Sequence, residues 1–127
     1  MIVVSKANSI LSDIFSKNNW LKLSTTTPTA TGGNFTEPPT SCGYRAKQLS
    51  EMGSPSNGQV ENDDIIFIGE IVSDGGTVTH FGIFTSSTAS TPIYVGTLST
   101  PKVLEAGKAL LIRKDAMKIA IDKSAFD

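Results

Sequence analysis

The sequence predicts a mainly β fold, namely a single antiparallel β-sandwich of about seven strands with one N-terminal amphipathic helix. Short apolar stretches with strand spacing recur along the chain, and segments rich in glycine and proline separate them. Serine and threonine are abundant while charged residues make up 18% of the chain, a composition typical of β-structure. We expect one domain over residues 1–127, because a chain of this length can enclose a single hydrophobic core.

The helix is predicted at residues 5–18, where apolar residues recur with the spacing of one helix face. These residues are Ala7, Ile10, Leu11, Ile14 and Phe15. Asn18 and Asn19 are expected to end the helix, because asparagine tolerates the left-handed conformation found at helix ends. We assign residues 1–19 to the helical element and residues 20–127 to the sandwich. The apolar helix face is expected either to dock on a partner or to cover the open end of the sandwich.

The first strand is predicted at residues 20–24, which alternate strictly. In this strand the two leucines point to the core, and Lys22 and Ser24 point away from it. Residues 25–43 contain prolines, glycines and many threonines, which predict a long irregular loop. Loops of this length are usually functional or take part in subunit contacts. A second strand is predicted at residues 44–50.

The strongest strand signals lie in the middle of the chain. Residues 65–68 form a continuous apolar run, which predicts a strand covered on both faces. Residues 77–85 form the next candidate strand, and residues 74–76 supply the flexible backbone for a reversal between the two.

The C-terminal part predicts three further strands. Residues 92–98 and 108–113 are two candidates, separated by Pro101 and a glycine-containing turn. The last candidate shows the clearest alternation, with one face formed by Met117, Ile119 and Ile121.

The charge balance and the reactive residues exclude several functions. With a net charge of -1 the chain lacks the positive surface that nucleic acid or anionic lipid requires, so neither partner is expected. Cys42 and His80 are together too few ligands for a structural zinc site, and we predict no metal and no cofactor. His80 is the one candidate general base of near-neutral pKa, and no nucleophile can be placed beside it, so we expect a packed histidine and no enzyme. The acidic cluster at residues 62–64 lacks the ligand spacing of a calcium loop.

Several motifs, taken in order, resemble those of the small tail-fibre-like or head-decorating virion structural proteins of tailed bacteriophages. The resemblance covers most of the chain. Its motifs are Leu-Ser-Thr-Thr-Thr-Pro at 23–28, Asn-Phe-Thr-Glu-Pro at 34–38, Gly-Tyr-Arg at 43–45, Gly-Thr-Val-Thr-His-Phe-Gly-Ile-Phe at 76–84, Tyr-Val-Gly-Thr-Leu-Ser-Thr-Pro-Lys at 94–102 and Glu-Ala-Gly at 105–107.

The resemblance implies a structural role in the virion, with synthesis in the cytoplasm of the bacterial host. The implied partners are other virion proteins of the capsid, neck or tail, together with copies of the chain itself in a homo-oligomer. The helix is the preferred docking element, and the long loop is the other candidate arm. The candidate assembly contacts are Ile10, Leu11, Ile14, Phe15, Phe35 and Tyr44.

Two other functions stay open at this point. A carbohydrate-binding module for host attachment would use loop hydroxyls and exposed tyrosines as a shallow site, and it would be favoured if Tyr44 and Tyr94 lay exposed side by side. A small enzyme would depend on His80 and the loop acids alone.

Overall fold

A computed structural model describes residues 2–15, 19–50, 52–115 and 117–120. The fold is mainly β, as predicted, with one α-helix at its N-terminal end. In chain order the elements are α1 (Val4–Phe15), β1 (Trp20–Ser24), a 3-10 turn (Thr40–Cys42), β2 (Lys47–Gln48), β3 (Gln59–Glu61), β4 (Ile66–Glu70), β5 (Gly76–Phe84), β6 (Tyr94–Leu104), β7 (Ala109–Ile112) and β8 (Lys118–Ala120).

The strands form one larger sheet and two ribbons, all antiparallel. The larger sheet has the order β2-β1-β5-β6, and the ribbons are β3-β8 and β4-β7. The arrangement is sandwich-like, which confirms the predicted fold class. The described residues hold eight strands, whereas the sequence predicted about seven. The difference is the short strand β3, which was not predicted.

The core lies between the inner face of the four-stranded sheet and the two ribbons. In the sheet, Leu21 pairs with Ile83 and Leu23 pairs with Phe81, so four buried side chains share one face. The ribbons contribute Ile66, Leu110, Ile112, Val60 and Ile119 to the same cluster, which also includes Met117 directly before β8. Burial of Met117 and Ile119 confirms the alternation predicted for the last strand, while Ile121 lies outside the described residues.

Helix α1 packs on β3 through Ala7 and Leu11, which are both buried. Asn8 accepts a hydrogen bond from the backbone N–H of Gly58 over 2.8 Å, which fixes the helix on the turn before β3. At the other end, the side-chain amide of Asn19 donates to the carbonyl of Ile14. The side chain of Asn19 thus satisfies a carbonyl group near the end of the helix. Asn18 lies outside the described residues.

Two sequence predictions about strand burial are wrong. Lys22 and Ser24 are 7% and 0% exposed, although the alternation of β1 placed them in solvent. They are buried because the loop at residues 25–43 folds over the outer face of the sheet. Conversely, Ile65 and Phe67 are 51% and 52% exposed, so the apolar run at the start of β4 is not covered on both faces.

Three connections also differ from prediction. The second strand is only Lys47–Gln48, much shorter than residues 44–50. The turn at residues 74–76 does not close a hairpin, because β4 pairs with β7 whereas β5 pairs with β1 and β6. Strand β6 runs through Pro101 and bulges there, since Val78 pairs with Lys102 and His80 pairs with Thr97. An edge strand can accept proline in this way, because its outer N–H groups need no strand partner.

Candidate assembly surfaces and the network that holds the long loop

The long loop is held to the sheet by the hydroxyl of Ser24. This buried oxygen donates to the carbonyl of Thr26 over 2.8 Å and accepts the N–H groups of Thr26 and Thr36 at 3.2 and 3.1 Å. The N–H of Thr25 donates to the carbonyl of Thr36 over 2.9 Å. The two limbs of the loop are therefore joined directly at its base, and a segment predicted to be irregular has a defined hydrogen-bonded structure.

A second set of contacts joins the loop to the sheet through Lys22. Its ammonium donates to the carbonyl of Ala89 over 2.9 Å and lies 4.5 Å from the ring centroid of Phe84. Glu37 of the loop approaches it to 3.9 Å and also accepts the hydroxyl of Tyr44 at 2.6 Å. A buried ammonium is costly unless it is paired and hydrogen-bonded, and these contacts satisfy it.

Tyr44 completes the edge of β1. Its hydroxyl accepts the backbone N–H of Leu23 at 3.0 Å, just past the point where β2 ends. Burial and the hydrogen bond to Glu37 raise the pKa of the Tyr44 phenol above its usual range, because both disfavour the phenolate. The phenol therefore stays protonated and serves as a donor and an acceptor in the same structure.

Aromatic packing fixes the middle of the loop. The ring of Phe35 meets Phe84 edge to face, with centroids 5.3 Å apart. Both rings lie over Gly82, where a Cβ would come within 2.8 Å of each. Near the tip, Gly32 packs against Pro92. The loop thus follows the outer face of the sheet from β1 to the start of β6.

The predicted assembly residues occupy two kinds of position. Leu11 and Tyr44 are each 1% exposed and belong to the core. The other four lie partly exposed, on the helix at Ile10, Ile14 and Phe15 and on the loop at Phe35. An assembly role for the six residues stays a prediction, and any surface contact would fall on the partly exposed members.

The two tyrosines do not form an exposed pair. Tyr44 is buried, and Tyr94 is stacked on Phe81 of the core with ring centroids 6.1 Å apart. The exposed pair of tyrosines that would have favoured a carbohydrate platform is therefore not present.

The residues with reactive side chains sit in structural surroundings. His80 is half-buried, and its Nδ1 lies 2.7 Å from the hydroxyl of Thr79. Cys42 is buried in the core. Among the residues that the structure describes, no three His, Cys, Asp or Glu side chains are grouped closely enough to hold a metal ion. In the same residues, no helix has the length and apolar character needed to span a membrane.

Asn62 is a structural centre that sequence reasoning did not find. Its side chain is fully buried, and its amide donates to the carbonyls of Asp64 and Arg113 over 2.9 and 2.7 Å. Its carbonyl oxygen accepts the N–H of Met117 at 3.0 Å. In the sequence, Asn62 was grouped with the two acidic residues that follow it and was considered only as part of a calcium-loop candidate. The sequence feature that could have indicated this role is an asparagine directly before two aspartates, at the boundary of a strand.

An apolar surface remains open on the outer side of the β4–β7 ribbon. Ile66 and Ile112 point inward, so the next pair, Phe67 and Leu111, points outward. We call this surface the ribbon face and define it by Ile65, Phe67 and Glu70 with Ala109, Leu111 and Arg113. No described element covers Phe67 as the long loop covers the outer face of the larger sheet.

Comparison with protein families shows a match over most of the chain. The model of a family described as podophage GP4 fiber I protein gp80 matches residues 14–120. The matched part begins in the last turn of α1 and includes every strand from β1 to β8. Among curated proteins nothing matches the chain.

Proposed function

Because the chain belongs to the family of the podophage GP4 fiber I protein gp80, we propose that it assembles in the virion through contacts with copies of itself and with other virion proteins. Membership confirms the resemblance to tail-fibre-like virion proteins, and a fibre protein is a structural part of the phage particle. The single observation that carries the proposal is the match over residues 14–120, which includes every described strand. No catalytic step forms part of the proposed function.

The use of the buried polar groups supports a scaffold role. Ser24, Lys22 and Tyr44 hold the long loop on the sheet, and Asn62 joins the chain before β4 to the chain after β7. A scaffold needs a surface of fixed shape, and groups committed to backbone contacts provide it. A catalytic group would instead need access to a substrate.

Two surfaces are proposed to contact other virion proteins. One is the outer tip of the loop at residues 29–34, most of which is exposed while its base is fixed. The other is the flank of α1 at Ile10 and Ile14, which remains partly exposed beside the buried Ala7 and Leu11. The capsid, the neck and the tail all stay candidate neighbours.

The proposal is tested on phage particles grown without this protein. We expect purified particles of a phage that cannot make this chain to lack a fibre density that wild-type particles show in cryo-electron micrographs. Added purified protein should restore that density. If the chain is absent from purified wild-type particles by mass spectrometry, the proposed virion role is wrong.

Single substitutions on α1 then test the helix surface. Ile10→Glu should reduce binding to the deficient particles, because it places a charge on the proposed contact. Ser12→Glu is the matched control, since Ser12 is exposed on the same helix away from the apolar face. Equal binding by the two variants would remove the helix from the proposed interface.

A further inference from the structure

We propose that the ribbon face binds the ribbon face of a second copy of this chain, with the strands of the two copies running in opposite directions. The inference deepens the proposed function and rests on it, because it names the surface and the partner for one of the assembly contacts.

The centre of the ribbon face is apolar, and the two strands that carry it are anchored in the core. Phe67 lies directly opposite Leu111 in the antiparallel register, and Phe67 is 52% exposed. Ile65 extends the same surface and is 51% exposed. The neighbouring pair Ile66 and Ile112 is fully buried, which anchors both strands in the core. An apolar centre on fixed strands is the arrangement found in the middle of protein interfaces.

The ends of the ribbon face carry opposite charges. Arg113 directly follows β7 at the end of the ribbon where Ile65 precedes β4, and Glu70 ends β4 opposite Ala109 at the far end. Both charged side chains are exposed, and neither forms an ion pair with another described residue. If a second copy stacks with its β4 antiparallel to the first copy's β4, the end that carries Arg113 in each copy lies over the end that carries Glu70 in the other. If the strands run in the same direction, like charges meet at both ends, which costs binding energy.

This charge pattern favours a second copy over other partners. Nucleic acid or an anionic membrane would be attracted by positive charge, and the ribbon face has one charge of each sign in a chain of net charge -1. A two-fold contact requires a self-complementary surface of this kind, because every pairing between the two copies occurs twice, once from each copy.

The area of the ribbon face sets the expected strength. A stable interface buries on the order of 800 Å² on each partner, and six side chains on two short strands supply only the middle of such a surface. We therefore expect a weak contact in dilute solution. Many copies held close together on a particle would strengthen it, because the effective concentration rises.

The test is a charge exchange measured by sedimentation velocity across a wide range of protein concentration. Wild-type protein should show concentration-dependent self-association. Arg113→Glu should weaken the association constant by at least about tenfold, because two carboxylates would then face each other at both ends of the contact. The double variant Arg113→Glu with Glu70→Arg should restore it. Because both substituted side chains are exposed, the folding of each variant can be verified by its circular dichroism spectrum.

Phe67→Ser should abolish association, and Val103→Ser is the matched control because Val103 is also an exposed apolar strand residue, at 67%. A protein that remains monomeric at every concentration, or a double variant that does not recover, would overturn the inference. Association that persists in Phe67→Ser would overturn it as well. If Phe67→Ser associates normally and yet fails to enter the particle, the ribbon face binds a different virion protein. The inference that its partner is a second copy is then wrong.

Incorporation into deficient particles separates this inference from the proposed function. A monomeric protein that still restores the fibre density would leave the virion role intact and remove only the contact between copies. Loss of incorporation for the wild-type protein would remove the virion role itself.

Discussion

The hydroxyl of Tyr44 lies 2.6 Å from Oε1 of Glu37 and donates to it across the base of the long loop. The same hydroxyl accepts the N–H of Leu23. One oxygen therefore connects the sheet edge, the returning limb of the loop and the segment that follows the loop. This relationship explains why a segment rich in threonine and proline has a defined path over the outer face of the sheet.

Removing that oxygen should loosen the loop without unfolding the sheet. Tyr44→Phe keeps the buried ring and leaves the Leu23 N–H and the Glu37 carboxylate without this partner. We expect the free energy of unfolding to fall by about 1–3 kcal/mol, the cost of leaving such groups unsatisfied. Denaturant unfolding measures the loss, and limited proteolysis should cut residues 25–36 faster. Unchanged stability and unchanged proteolysis would contradict the role assigned to the hydroxyl.

The same phenol predicts how stability changes in alkaline solution. Its folded pKa is raised above the unfolded value of about 10, so folding favours the protonated form. The stabilising contribution is complete below pH 10 and is lost as the pH rises, because the unfolded chain releases the proton first. Above about pH 10 the wild-type unfolding free energy should fall by up to ~1.4 kcal/mol per pH unit more than that of Tyr44→Phe. Parallel curves for the two proteins would show that Tyr44 ionises equally in both states.

Lys22 should contribute to stability although it is a lysine on a strand. Lys22→Met keeps much of the side-chain volume and removes the bond to the carbonyl of Ala89 and the approach to Glu37. We expect a loss of about 1–2 kcal/mol in denaturant unfolding, since the Ala89 carbonyl loses its donor. Lys108→Met is the control, because Lys108 pairs with Glu105 on the surface and is 69% exposed. Its effect should stay within about 0.5 kcal/mol.

Asn62 should be more important for stability than an ordinary hydrogen-bonded asparagine. Asn62→Ala leaves two carbonyls and one N–H without their partner in the core, and we expect a loss of about 3 kcal/mol. Asn8→Ala removes one bond, to Gly58, and should lose about 1 kcal/mol. Thermal unfolding of both variants provides the comparison. Equal losses would mean that solvent replaces the contacts of Asn62.

Local sequence patterns predicted the elements in which apolar residues recur close to the ideal period of a helix or a strand. The helix face around Leu11, the alternation of β1 and the last strand all follow from the spacing of apolar residues. The outer face of β1 could not be predicted in this way, because Lys22 and Ser24 read as solvent-facing until the loop is placed over them. Strand β3 was missed because three residues carry too little periodicity, and it is defined by its pairing with β8.

The surfaces were harder to predict than the strands. Tyr44 was a candidate assembly contact, but its side chain is buried and its hydroxyl completes a sheet edge inside the chain. The apolar run at residues 65–68 read as a strand covered on both sides. Only the pairing of β4 with β7 shows that Phe67 lies on an outer surface. Both differences arise from contacts between residues far apart in sequence.

The bulge of β6 at Pro101 makes the border of the four-stranded sheet a poor template for fibril formation. Strand β6 is the longest strand described and lies at the border of the four-stranded sheet, where an uninterrupted row of backbone groups would template addition of a neighbouring chain. Pro101 offers no N–H, and the four residues opposite Thr79 break the row into two short pieces. Fibrillar aggregation through this strand is thereby disfavoured.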